Sequence, residues 1–287
     1  MHFIVFICYF IEFLYICSNI RLNNKDKFML NPKYLTILFC LLFGINTVFA
    51  QFGFSHEVGV IAGPIAFQSD YGERKDWDTN KGNTGIGIGL IHYINFSYRA
   101  DCNCYSTDTY FNDHFKIRNE ISFNKTTLNH FGPESEKQSF WGETLRAMEG
   151  EANNLNIGTQ LEYFPMSIRD FAAGAYKIAP YGSIGAQFTY FSPKASSSLP
   201  GGLQNPDNIF YDFANGGINT DSGTTWSIVA SVGARYKLTT LSDLLFDLRW
   251  QYYFSNWVDG LNHEENIQDK ANDWLVWFNV GYVYYLD

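Results

Sequence analysis

From residue 54 onward, apolar side chains recur at every second position in eight stretches of about 12 to 17 residues, separated by runs rich in Gly, Asn, Asp and Ser. A period of two places alternate side chains on opposite faces of an extended chain, and no long stretch past residue 51 keeps a helical period. The predicted strands are Phe54–Phe67, Asn83–Arg99, Asn112–Thr126, Asn154–Pro165, Ile178–Phe191, Thr224–Leu238, Asp243–Trp257 and Asp273–Leu286. The seventh is the clearest: Leu244, Phe246, Leu248, Trp250, Tyr252 and Phe254 share one face, with Asp247, Arg249, Gln251 and Ser255 on the other. The eighth sets Trp274, Val276, Phe278, Val280, Tyr282 and Tyr284 against a face that holds Asn279 and Gly281.

Alternation alone also describes a soluble sandwich, so length decides between the two. Soluble strands usually run about 5 or 6 residues, whereas a tilted strand crossing a bilayer needs roughly 9 to 11. The expected fold is therefore all-β: a single closed antiparallel eight-strand transmembrane β-barrel, preceded by a cleavable signal peptide. An even strand number returns both mature termini to one side, expected to be periplasmic. The connections on the far side then have 15, 27, 32 and 15 residues and those on the near side 12, 12 and 4, the asymmetry of outer-membrane barrels. With that orientation the apolar-face aromatics fall into two bands, as headgroup interfaces favour. Tyr190, Trp226, Phe254 and Trp274 lie near the outer rim, and Tyr98, Phe115, Tyr163, Tyr236 and Tyr284 near the inner one.

Ahead of the strands, residues 29–50 have the charged start, apolar run and small-residue end of a signal peptide. Met29 is a natural initiator, so residues 1–28 are expected to be a mistranslated upstream segment and 51–287 the barrel. The alternative, a helix from Phe3 to Ile20, carries Glu12 at mid-span, a costly place for charge in lipid. Cys40 lacks the small residues before it that lipid attachment needs.

Composition narrows the function. A net charge of -9, 18% aromatic residues and 17% charged ones exclude a disordered chain and argue against nucleic acid as a partner. Removal of residues 1–50 leaves 16 basic against 27 acidic residues, a charge of -11. A mean hydropathy of -0.17 argues against a polytopic helical membrane protein.

The polar faces are ionic: Glu57, Glu120, Glu162 and Asp247 face Arg99, Lys116, Arg118, Arg235, Lys237 and Arg249. Eight strands enclose a space only just wide enough for side chains, so these charges are expected to pair and fill the lumen. A charge-selective channel is the alternative. Gly85, Gly87 and Gly89 make room beside large neighbours; the same run lacks the GxGxxG spacing and following helix of a dinucleotide fold. Cys102 and Cys104, on a near-side turn, form either a disulfide staple or, less favoured, a redox centre, and one CxC pair supplies too few ligands for a metal. His130, His263, Glu264, Glu265 and Asp269 sit on far-side loops without a catalytic spacing, and Gly182 to Gly185 lacks that of a nucleophile elbow. Ser139 to Glu151 predicts a short amphipathic helix with Phe140, Leu145 and Met148 on its apolar side.

GPIAFQSDYGER (63–74), KGNTGIGIG (81–89), YRADCNCY (98–105) and EYFPMSIRDF (162–171) resemble a family of exported Bacteroidota proteins. The resemblance covers nearly the whole mature chain. It implies an outer-membrane-type β-barrel, and some members carry a transferred "glutamate dehydrogenase" label. No parallel α/β pattern, dinucleotide turn or substrate-binding lysine motif supports that label here. The resulting expectation is a non-enzymatic barrel acting as a surface, scaffold or envelope-assembly component through its outer loops, without cofactor or metal. Its expected partners are outer-membrane lipid, the barrel-assembly machinery during biogenesis, and envelope proteins. Two alternatives stay open: a small lipid-modifying or proteolytic barrel enzyme with its site on the outer loops, and a soluble periplasmic barrel holding a small ligand.

Overall fold

The computed structural model describes residues 54–73, 76–97, 109–214, 216–262 and 272–286. Nine strands form one sheet: β1 (Ser55–Gln68), β2 (Thr84–Asn95), β3 (Phe115–Asn129), β4 (Met148–Tyr163), β5 (Ile178–Phe191), β6 (Lys194–Ser197), β7 (Gly223–Thr239), β8 (Ser242–Tyr253) and β9 (Trp274–Tyr285). Around the circumference they run β1-β2-β3-β4-β5-β7-β8-β9, every pair antiparallel, and β9 returns to β1. Glu57 opposite Tyr285 and Gln68 opposite Trp274 mark the ends of that closing seam. The sheet is thus a closed eight-strand antiparallel barrel, in which no long strand keeps an unpaired edge. Among the described residues no helix is long and apolar enough to cross a membrane.

Both described chain ends lie at one end of the barrel, where the Leu286 amide donates to the His56 carbonyl at 2.9 Å. This terminal end is closed by short elements. Between β7 and β8 the chain reverses over two residues, with the Thr239 and Ser242 hydroxyls 2.8 Å apart. Helix α2 (Tyr110–His114) is capped by the Thr109 hydroxyl, and α5 (Ile168–Ala173) is capped by Ser167 and stops at Gly174, φ 83°. The opposite, loop end carries α1 (Trp77–Asn80), α3 (Pro133–Glu136), α4 (Phe140–Ala147) and three turns of 3-10 helix.

The eight long strands fall where the alternation places them, with shifts at their ends. The third begins at Phe115, because residues 110–114 have a capped helix turn available. The seventh ends at Tyr253 and the second at Asn95, both short of the expected spans. The fourth starts six residues earlier than expected, at Met148, and pairs there with β6, a strand inside the connection read as loop. Its small inward residues Gly150 and Ala152 and polar outward Glu149 and Glu151 carry the sheet past the apolar belt without apolar alternation. The helix expected over 139–151 is α4, capped by the Ser139 hydroxyl; Leu145 is buried and Phe140 exposed, while Met148 already belongs to β4.

Candidate functional site

The inward face carries its charges on β1, β3, β4, β7 and β8, among inward apolar residues that include Ile61, Ile65, Leu245, Leu275 and Trp277. Toward the terminal end, Glu57 sits between Lys116 and Arg235, each 2.5 Å away through a separate carboxylate oxygen. Arg235 also reaches Glu162 at 3.5 Å and Asp243 at 3.8 Å, and its guanidinium lies 4.1 Å from the centre of the Tyr93 ring. One layer up, Arg249 grips Glu120 through two parallel bonds of 2.5 and 2.6 Å. Arg118 completes that group, 2.8 Å from Glu120, 3.1 Å from Asp247 and 3.5 Å from Glu162. Forked guanidinium–carboxylate pairs of this kind are the strongest of the charge-assisted hydrogen bonds. With Lys237, 3.4 Å from Asp243, five cations meet five carboxylates among the described residues.

These groups fill the space they occupy. Arg118, Arg235 and Arg249 are each 0% exposed, and Trp277, equally buried, stacks 4.9 Å from the Arg249 guanidinium. Gly87 faces that indole: a Cβ there would come within 2.4 Å of it, so the glycine provides the room the ring takes. Above the ion pairs lies a neutral layer, in which the Asn154 amide donates to Asn124 at 3.1 Å and the Gln251 amide to Asn156 at 3.1 Å.

At the loop end the chemistry changes. Asp259 accepts from the Asp70 amide at 2.9 Å and from the Leu261 amide at 2.9 Å, while Asp273 accepts from the Val258 amide at 3.0 Å. Burial pushes Asp259 up to about 7, and it raises Asp273 well above the usual carboxylate range, with the Asp259 and Asp70 carboxylates adding to the shift. Beside them Tyr71 stacks on His130, ring centres 4.8 Å apart. Burial lowers His130 to about 4 and raises the Tyr71 hydroxyl, so both are neutral near pH 7. Among the described residues no group of three His, Cys, Asp or Glu is placed to hold a metal ion.

The outward face is the inverse. Its large apolar residues stand open, with Ile86, Ile184 and Val232 at 66%, 63% and 64% exposed. Tyr190, Trp226, Phe254 and Trp274 occupy the loop-end edge of this face on the contiguous strands β5, β7, β8 and β9, Phe254 immediately after β8. Phe115, Tyr163, Tyr236 and Tyr284 occupy its terminal edge, and Phe115 and Tyr163 are 5.1 Å apart. The loop-end aromatics therefore form an arc over half the circumference; Ile86 and Lys125 take comparable places on β2 and β3.

Of the residues singled out in the sequence, Tyr98, Arg99, Cys102, Cys104, His263, Glu264, Glu265 and Asp269 lie outside the described residues. The structure adds Asp243, Tyr93 and Trp277, each in phase with an inward set and identifiable from that phase. It also adds Asp259 and Asp273, which no pattern marked because their neighbours are distant in sequence.

No family model and no curated protein matches the chain. Among solved structures, Neisserial surface protein A is 13% identical, covering 80% of this chain and 96% of that one at a TM-score of 0.41. A major outer membrane protein from Thermus thermophilus is 14% identical, with coverages of 80% and 99% and a TM-score of 0.42. The outer membrane protein OprG from Pseudomonas aeruginosa is 13% identical, with coverages of 80% and 97% and a TM-score of 0.39. Such scores are too low to carry weight, and closure of the barrel rests on the register of its own strands.

Proposed function

We propose that this chain is a non-enzymatic outer-membrane β-barrel, with a lumen stoppered by its own ion pairs, that acts as a surface or scaffold component through its loop end. The observation that carries this reading is the inversion of the wall: guanidinium groups are sealed inside while isoleucines and valines stand open outside. In water that arrangement loses on both faces, since exposed apolar area is unfavourable and buried charge is costly. Hydrocarbon around the wall removes the first penalty, and the reciprocal pairing of Glu57, Glu120, Glu162, Asp243 and Asp247 with their cations offsets the second.

The aromatic edges fit headgroup interfaces, and the long connections of the loop end support an orientation with that end outside the cell and the termini in the periplasm. Residues 29–50 would then serve as the export signal, and insertion would depend on barrel-assembly machinery. The filled lumen disfavours a diffusive channel, because the guanidinium forks occupy the cross-section.

Fractionation with alkaline carbonate, followed by electrophoresis with and without heating, tests the reading. A spanning barrel stays with the membrane until detergent is added and migrates differently once heated. Release by carbonate alone would make it a soluble barrel and overturn the proposal.

A further inference from the structure

We infer that the outward face of β3, centred on Asn119, is an interface with a second copy of this chain, which rests on the membrane-spanning reading because water would satisfy any polar group there. Between the aromatic edges, the outward positions of β5, β7, β8 and β9 hold apolar, small or aromatic side chains, as in Ile184, Ala230, Leu248 and Val280. On β2, β3 and β4 one level breaks that pattern. His92, Asn119 and Thr159 lie directly opposite one another across the two ladders, and all three face outward. Each stands four residues from an aromatic at the terminal edge of its own strand: Phe96, Phe115 and Tyr163 respectively. Four residues of a tilted strand climb about 10 Å, which sets these groups well inside an apolar band about 25 Å tall.

Their mutual contacts leave a donor over. The Thr159 hydroxyl donates to Oδ1 of Asn119 at 2.8 Å, and Nε2 of His92 lies 3.1 Å from Nδ1 of His56 on β1. The Asn119 amide nitrogen, with two N–H groups, has no partner among the described residues. Hydrocarbon offers it none, and a polar group kept within the membrane without a partner is costly.

Symmetry and the chemistry of the amide identify what covers this face. Copies inserted in one membrane share one orientation, so a two-fold axis relating them runs along the membrane normal and sets residues near it against themselves at equal depth. A carboxamide is its own complement. Nδ2 of each Asn119 donates to Oδ1 of the other, and that oxygen still accepts from Thr159 because a carbonyl has two lone pairs. The loop-end edge is consistent with this: on β2 and β3 it carries Ile86 and Lys125 where the strands across the barrel carry rings. A wall covered by protein has less need of aromatic side chains at the headgroup level.

Light scattering of the purified full chain in non-ionic detergent is expected to give the mass of a protein dimer. Asn119→Leu should raise the dissociation constant about tenfold, read by energy transfer between labelled copies diluted in phosphatidylcholine vesicles. Leu248→Ala, on β8 across the barrel, should leave it unchanged. Cysteine cross-linking reports the axis directly. In a chain carrying Cys102→Ser and Cys104→Ser, Ile121→Cys is expected to join its own copy on oxidation in vesicles, and Leu248→Cys is not. The heat-dependent gel shift establishes that each variant keeps its barrel, and carbonate extraction decides the membrane reading separately. A monomer in both detergent and vesicles, an undiminished dimer of Asn119→Leu, or equal cross-linking from the two cysteine positions would each overturn the assignment.

Discussion

Charge is buried at both ends of this barrel and is neutralised in opposite ways. Toward the termini, carboxylates and cations answer one another through direct contacts, as with Arg249 and Arg118 on Glu120. At the loop end Asp259 and Asp273 are buried beside each other and accept from backbone amides, and their affinity for a proton rises instead. A buried acid is tolerable if a cation or a proton cancels its charge. The first solution cancels charge with charge, whereas the second couples the loops to pH.

The largest expected effect comes from breaking a pair. Glu120→Ala leaves Arg249 without its fork and Arg118 without its shortest partner, and should cost about 3–5 kcal/mol in urea unfolding from detergent or vesicles. A loss below about 1 kcal/mol would mean that water reaches these guanidinium groups and the lumen is not sealed.

The loop end should respond to pH. Folded Asp259 holds its proton up to about 7 against 3.8 for a free aspartate. Its folded pKa is raised, so the folded form binds more protons across that window, and the stability it contributes falls as pH rises through about 7. Hydrogen exchange of the Asp70, Val258 and Leu261 amides, corrected for intrinsic rates, should accelerate between about pH 5 and about pH 8. Asp259→Asn should flatten that dependence; a pH response surviving the substitution would move its origin elsewhere.

The smallest effect sharpens the contrast with the lumen. Lys81 and Asp78 meet at 2.9 Å on the exposed loop-end surface, and Lys81→Gln should leave the unfolding midpoint unchanged. A measurable drop would show that the loop end draws strength from surface charge as well as from buried acids.

Much of the wall was legible in advance because its cause is local. Leu248 and Phe278 face out while Arg249 and Asn279 face in, for the same reason that adjacent side chains of any strand diverge. Strand ends were less legible, since outward positions beyond the apolar belt turn polar and the alternation fades, as over Met148–Asn153. The aspartates of the mouth left no trace, because what raises their proton affinity is enclosure by segments brought from elsewhere, among them Asp70, 189 residues before Asp259.

The chain alone determined that eight strands would each present an oily face opposite one of polar, charged or small residues, a consequence of a two-residue repeat that needs no knowledge of neighbours. Only the tertiary structure decided which acid meets which base. Glu57 and Arg235 are 178 residues apart and Glu120 and Arg249 are 129 apart, and such pairs form only once the ring closes and fixes the heights of distant strands.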